Sequence, residues 1–202
     1  MPQKTDLAPR PHQAAARDAI RHALDESLSR FRVEMCCGSG KTFTQAFLVD
    51  DIIDRTDEKN PVIVCFAPNR DLIQQNAEEY ERVLGDGIDY VGVCSPRERN
   101  ASPDAVPGPP MQGTIDVTTD SDKIRSRVVS RDKPIVIFST YQSAQATRDA
   151  LIDETGNQLR VSAGLFDEAH RTAGHKTRDS QFAFALFDEN FPMDMRVYFT
   201  AT

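Results

Sequence analysis

Phe31-Arg32-Val33-Glu34-Met35-Cys36-Cys37-Gly38-Ser39-Gly40-Lys41-Thr42 is the stretch on which the fold turns. Phe31, Val33 and Met35 alternate with polar residues as in a strand. Gly38-Ser39-Gly40 makes a tight turn, and Phe43, Ala46, Phe47 and Ile53 then recur at helical spacing. Strand, glycine loop and helix in that order are the layout of a phosphate-binding loop. Gly38 and Gly40 let consecutive backbone N–H groups from Cys37 to Thr42 turn inward on a triphosphate, and the helix N-terminus adds partial positive charge. Lys41 then supplies a mobile charge for the β and γ phosphates, and the Thr42 hydroxyl a ligand for Mg2+. The full pattern G-x-x-x-x-G-K-[ST] asks for glycine where Met35 stands, so an ordinary glycine turn ahead of a helix remains the alternative on this stretch alone.

Working outward, Pro11 suits the first position of a helix, and Ile20, Leu24 and Leu28 follow at spacing four, with Ala16 a turn earlier. This predicts a helix of roughly five turns, so that residues 1–30 form an N-terminal part of the same lobe as residues 31–202. Asp50 to Asn60 reads as a solvated helix end and turn. Pro61 to Ala67 is a continuous apolar run, as expected of a strand buried on both faces of a parallel sheet. Asn69 suits the cap of a helix carrying Leu72, Ile73, Ala77, Tyr80 and Leu84 inward.

Further strands are expected at Tyr90–Cys94, Pro134–Phe138, Ala163–Phe166 and Arg196–Phe199, with helices at Asp120–Ser130, after Ser139-Thr140-Tyr141-Gln142-Ser143, and at Phe182–Phe187. A proline-rich stretch, 95–113, and the polar stretch 171–181 read as loops. Strands alternating with helices predict an α/β fold, a parallel β-sheet sandwiched by helices.

At 202 residues the chain is long enough for one well-cored domain and too short for two large ones. Its 39% hydrophobic and 27% charged composition excludes disordered and fibrous classes. No apolar run approaches the roughly 20 residues of a membrane helix, and residues 1–6 lack a signal-peptide core; no membrane partner and a cytoplasmic location are the expectations. The net charge of −7 argues against bulk electrostatic capture of nucleic acid, so such binding must be local. Cys36, Cys37, Cys65 and Cys94 lack zinc-ligand spacing.

Hydrolysis of a bound nucleotide needs a carboxylate for the metal's water shell and a group that orients the attacking water. Asp167 and Glu168 offer both, because they leave the end of an apolar strand, and parallel sheets gather ligands at that edge. With Asp167-Glu168-Ala169-His170 downstream of the glycine loop, the chain resembles the first RecA-like lobe of a superfamily 2 helicase or translocase of DEAH-box style. The likeness covers nearly all of the chain. It is nearest to bacterial helicases with a helicase-associated domain and to restriction-enzyme translocases of type III or single-protein type I.

The resemblance implies a RecA-like P-loop NTPase lobe that binds ATP and Mg2+, with Lys41, Asp167 and Glu168 catalytic, and Thr42 and Asp167 on the metal. Arg10-Pro11-His12-Gln13 resembles the glutamine motif, in which Gln13 reads the adenine edge and Arg10 lies beside the nucleotide. Pro68, Asn69 and Arg70 resemble motif Ia and Thr140 lies in a motif Ic-like stretch; both motifs touch the nucleic-acid backbone. His170, Thr200 and Thr202 would couple the nucleotide to that grip. DNA is the implied partner, with RNA open, together with a second RecA-like lobe supplying an arginine finger. The implied activity is that of a DNA helicase or translocase motor, weak or inactive in this lobe alone. The alternatives are a nucleotide-binding module without turnover and, far less compatible with Asp-Glu-Ala-His and Thr-Ala-Thr together, a small-molecule kinase.

Cys36 and Cys37 lie within the loop, next to the start of the following helix. Alkylating both is expected to block nucleotide binding, read by fluorescent-nucleotide titration. Complete modification mapped to both sites with unchanged affinity contradicts it.

Overall fold

The computed structural model describes residues 8–94, 115–153, 155–169 and 183–201. Within them β1 (Arg30–Glu34), β2 (Val62–Ala67), β3 (Asp89–Val93), β4 (Ile135–Thr140), β5 (Ala163–Phe166) and β6 (Arg196–Thr200) form one six-stranded sheet, ordered β1-β6-β5-β2-β4-β3. Every pairing in it is parallel. The chain runs outward from β1 through β2 to β3, then returns through β4, β5 and β6, which slot between strands already laid down.

The apolar runs explain this placement. Every residue of β2, β4 and β5 is buried, and burying each Val, Ile or Phe side chain contributes about 1.5–3 kcal/mol. Strand alternation sends Ile63, Cys65, Phe138 and Leu165 to one face, where they meet α1 (Pro11–Asp25), α2 (Lys41–Arg55) and α3 (Arg70–Leu84). Val62, Val64, Ile135 and Ile137 go to the other, under α4 (Ser121–Val129) and α5 (Ala144–Ala150). The expected α/β sandwich is therefore present, as are all six expected strands, to within a residue or two at their ends.

Caps hold the helices where the sequence placed them. Asn69 Oδ1 accepts from Leu72 N at 3.0 Å, and Asp120 Oδ1 accepts from Asp122 N at 3.1 Å. The expected helix at Phe182–Phe187 is only a 3-10 turn over Phe184–Leu186, with Phe182 outside the described residues. The two predicted loops, 95–113 and 171–181, also lie outside them.

Two further expectations are corrected. The first helix stops at Asp25, a turn short of Leu28. Ser27 takes a left-handed backbone (φ 59) and Leu28 N returns to Ala23 O at 3.0 Å, closing the helix and leaving Leu28 44% exposed. Neither glycine nor proline marks that end.

The other correction concerns the supposedly solvated end of α2, where Asp51 is buried at 1% exposure. Arg17 donates to it at 2.8 and 2.9 Å and Arg21 at 2.8 and 3.1 Å, an ion network that ties α1 to α2. Burial pushes the Asp51 carboxyl up, but the hydrogen bonds and charges of Arg17 and Arg21 outweigh it and leave it net below the ordinary carboxylate range.

A depressed carboxylate contributes stability that is present above its unfolded pKa and lost as pH falls through its folded pKa. Asp51→Ala should therefore lower the urea-unfolding free energy near pH 7 by about 3 kcal/mol, the low end for a broken buried pair. The low end applies because Arg21 is 42% exposed. The gap between wild type and variant should shrink at acid pH; a gap constant with pH would contradict the network.

Candidate functional site

All six strands point the same way, so the C-terminal ends of β1 and β5 open on one rim. β6 lies between them, and Met35 N donates to Thr200 O at 3.1 Å, carrying the β1–β6 ladder to the mouth of the glycine loop. Ser39 N and Oγ both donate to Cys36 O, at 3.2 and 2.7 Å, which makes the turn tight. Gly38 (φ 73) and Gly40 (φ 83) hold left-handed conformations, and a Cβ on Gly40 would also run into the Gln13 amide. Cys36 and Cys37 are exposed.

The start of α1 closes on this loop from one side. A His12 ring nitrogen lies 2.8 Å from Ser39 O, and Gln13 Nε2 donates to Ser39 O at 3.3 Å and to Gly40 O at 3.4 Å. Gln13 Oε1 accepts from Arg10 N at 2.9 Å, so both ends of the amide meet protein atoms in this conformation. Oε1 keeps a second lone pair, whereas both Nε2 contacts go to loop carbonyls.

From the other side comes the end of β5. Asp167 N donates to Phe66 O at 2.9 Å and Tyr141 OH donates to Asp167 O at 2.7 Å, fixing the backbone at this point. Glu168 follows with φ 49, uncommon for a residue bearing a side chain, and its carboxylate forms an ion pair with the Lys41 ammonium. Residues far apart in sequence thus meet in a cavity of about 450 Å3 whose lining includes Gln13, Gly40, Lys41, Thr42, Asp167 and Glu168.

Asp167 is buried, and burial pushes its carboxyl above the ordinary carboxylate range. Lys41 draws it partly back, Glu168 pushes it further up, and the hydrogen bond from Gln45 Nε2 at 3.0 Å draws it down again. A cation at this point would relieve the pair of carboxylates. Thr42 and Asp167 present hard oxygen donors, the kind Mg2+ takes alongside phosphate oxygens and water. Among the described residues no group of three or more His, Cys, Asp or Glu side chains is placed to hold a metal ion by itself.

The family model for the res subunit of Type III restriction enzymes matches residues 6–202. The chain belongs to that family. In fold it is an N-terminal RecA-like lobe of superfamily 2 type, a helicase-like ATPase domain. A comparison with curated proteins gave no match.

Three solved structures share its fold. A nuclease-deletion mutant of the Type ISP restriction-modification enzyme LlaGI, in complex with a DNA substrate mimic, superposes with TM-score 0.73 at 24% identity over 97% of this chain and 18% of its own. The ATP-dependent Type ISP enzyme LlaBIII bound to DNA gives TM-score 0.74 at 22% identity, over 96% of this chain and 13% of that one. The Sulfolobus solfataricus SWI2/SNF2 ATPase core in complex with dsDNA gives 0.60 at 15% identity, over all of this chain (100%) and 34% of its own. The chain thus spans between 13% and 34% of the length of each of these neighbours.

Residues expected to touch nucleic acid are placed unevenly in this res-subunit lobe. Asn69 and Arg70 are half-buried at the start of α3, whereas Pro68 is buried. Thr140 is fully buried and its Oγ accepts from Ser143 N at 3.3 Å, so it shapes the turn into α5 and does not face solvent. Thr200 ends β6, its Oγ donating to Ala201 O at 3.3 Å; His170 and Thr202 lie outside the described residues.

Sequence reasoning passed over Gln45 and Asn76, and read Tyr80 and Tyr141 without any role at the site. Each is buried beside the site, and the signal was a polar group on an otherwise apolar inward face: Gln45 among Ala46 and Phe47, Asn76 between Ile73 and Ala77.

Lys41 is engaged by Glu168 here, so a phosphate that reaches it shares or displaces that carboxylate. Glu168→Gln removes the competing negative charge and should tighten ATP binding by about tenfold, roughly 1.4 kcal/mol, just under the range of about 1.5–3 kcal/mol for a charged hydrogen bond. Lys41→Ala should weaken it. Calorimetric titration showing weaker ATP binding by Glu168→Gln contradicts the competition.

Proposed function

We propose that this chain is the ATP-binding lobe of a DNA-dependent motor, coupling hydrolysis of Mg-ATP to movement along DNA in an enzyme of restriction or defence type. The observation that carries this reading is the meeting of Lys41 with Glu168, beside Asp167, at the C-terminal rim of the sheet. Family membership, and three solved relatives of like fold described in complex with DNA, support the same reading.

In this proposal the inward N–H groups between Cys37 and Thr42, with Lys41, hold the β and γ phosphates. Gln13, with Arg10 beside it, recognises adenine. Thr42 and Asp167 hold the magnesium ion, which when bound neutralises charge on the phosphate oxygens. Glu168, released from Lys41 by the phosphates, turns to the attacking water and accepts its proton. Asn69 and Arg70 meet the DNA backbone, and the bond from Met35 N to Thr200 O connects the loop to the end of β6.

A second RecA-like lobe would supply the arginine finger, a group worth about 10³ to 10⁵ in rate in phosphoryl transfer. The pairing of Lys41 with Glu168 favours a resting state in which the lobe alone binds nucleotide and turns it over slowly.

The test is steady-state ATP hydrolysis by the 202-residue chain and by a longer form carrying the second lobe. Duplex DNA should stimulate the longer form more than RNA does, and Glu168→Gln should reduce hydrolysis by at least a hundredfold while ATP binding persists. Full DNA-stimulated activity in Glu168→Gln contradicts the assigned role.

A further inference from the structure

Behind the two residues expected to meet magnesium lies a buried set of polar side chains that the phosphate-loop chemistry leaves unexplained. Thr42 Oγ donates to Asn76 Oδ1 at 3.3 Å, and Gln45 Nε2 donates to Asp167 Oδ1 at 3.0 Å. Tyr80 OH in turn donates to Gln45 Oε1 at 3.3 Å, and Cys65 Sγ lies 3.5 Å from the same hydroxyl. Gln45, Asn76 and Tyr80 are buried, at 1%, 2% and 0% exposure. Uncompensated polar groups at such depth cost about 1–3 kcal/mol each, so their mutual satisfaction is a constraint on the site.

The directions of these bonds are chemically determined. An ionised carboxylate only accepts, so the Gln45 amide must turn Nε2 toward Asp167, which leaves Oε1 for the Tyr80 hydroxyl. The Thr42 hydroxyl has one proton and two lone pairs; giving the proton to Asn76 leaves lone pairs for a cation. Asp167, which accepts from Gln45 at Oδ1 and also from the Glu168 backbone, keeps further carboxylate lone pairs. Asn76 and Tyr80 are one turn apart on α3, so both expected ligands, one on α2 and one after β5, are referenced to a single helix.

We propose that Gln45 and Asn76, with Tyr80 locking Gln45, are positioning residues that orient Thr42 and Asp167 for Mg2+ and so set the metal affinity of the nucleotide complex. The proposal rests on the reading of this cavity as a Mg-nucleotide site. Neither residue touches the nucleotide; both act through a ligand. Removing such outer partners characteristically costs about 10–100-fold in metal affinity.

The experiment is binding of fluorescent ADP to the 202-residue chain, titrated with Mg2+, alongside a metal-free titration. Gln45→Met keeps length and burial but lacks the amide; it should raise the half-saturating Mg2+ concentration by about 10–100-fold. Metal-free ADP affinity should stay within about twofold of wild type. Tyr80→Phe, which removes one oxygen and keeps the ring, should shift the same curve in the same direction by less, and serves if Gln45→Met does not fold.

An unchanged Mg2+ curve in either folded variant overturns the proposal, as does a parallel loss of metal-free binding, which would mark a general structural role. If wild type itself shows no Mg2+-dependent nucleotide binding, the reading of the cavity fails and the positioning role with it.

Discussion

One electrostatic meeting organises this lobe: the ammonium of Lys41, at the start of α2, against the carboxylates that end β5. It exists only because the sheet is wholly parallel and because β6 separates β1 from β5 by a single strand. Opposite charges held in a partly dried cavity attract strongly but are costly to leave unpaired. In this structure Lys41 and Glu168 pair with each other, and in the function proposed above a triphosphate with its cation would satisfy both signs at once.

The demands of that meeting reach far into the structure. Gly40 must be glycine both for its left-handed backbone and because Gln13 packs where a Cβ would stand. Gln13 in turn is placed by α1, which the Arg17–Asp51–Arg21 network clamps to the same α2 that begins with Lys41. Beneath, Gln45, Asn76 and Tyr80 give the interior a polar lining in which every bond has a fixed direction. The apolar core builds the rim, and these buried polar contacts fix the side chains upon it.

Much of this was legible in the chain. Continuous apolar runs such as Val62–Ala67 and Ile135–Phe138 announce buried parallel strands because both faces are covered, and Asn69 announces a helix by its capping chemistry. The glycine loop and the Asp167-Glu168 pair were readable as one site because each follows an apolar strand. What could not be read depends on tertiary partners. Asp51 looks solvated in sequence and is buried only because α1 delivers two arginines to it. Leu28 looks like a fourth inward residue, but the left-handed turn at Ser27 ejects it. Thr140 looks like a surface contact, yet the turn it caps lies inside. Gln45 and Asn76 are polar residues at apolar positions, a mismatch that marks a constraint without naming its partner.

The most direct measurement is a crystal structure of this chain with Mg2+ and a non-hydrolysable ATP analogue. The account predicts Lys41 Nζ within hydrogen-bonding distance of the β or γ phosphate, Glu168 swung away from it, and the metal held between Thr42 and the Asp167 side. A nucleotide bound elsewhere, with Lys41 and Glu168 still paired, would contradict it.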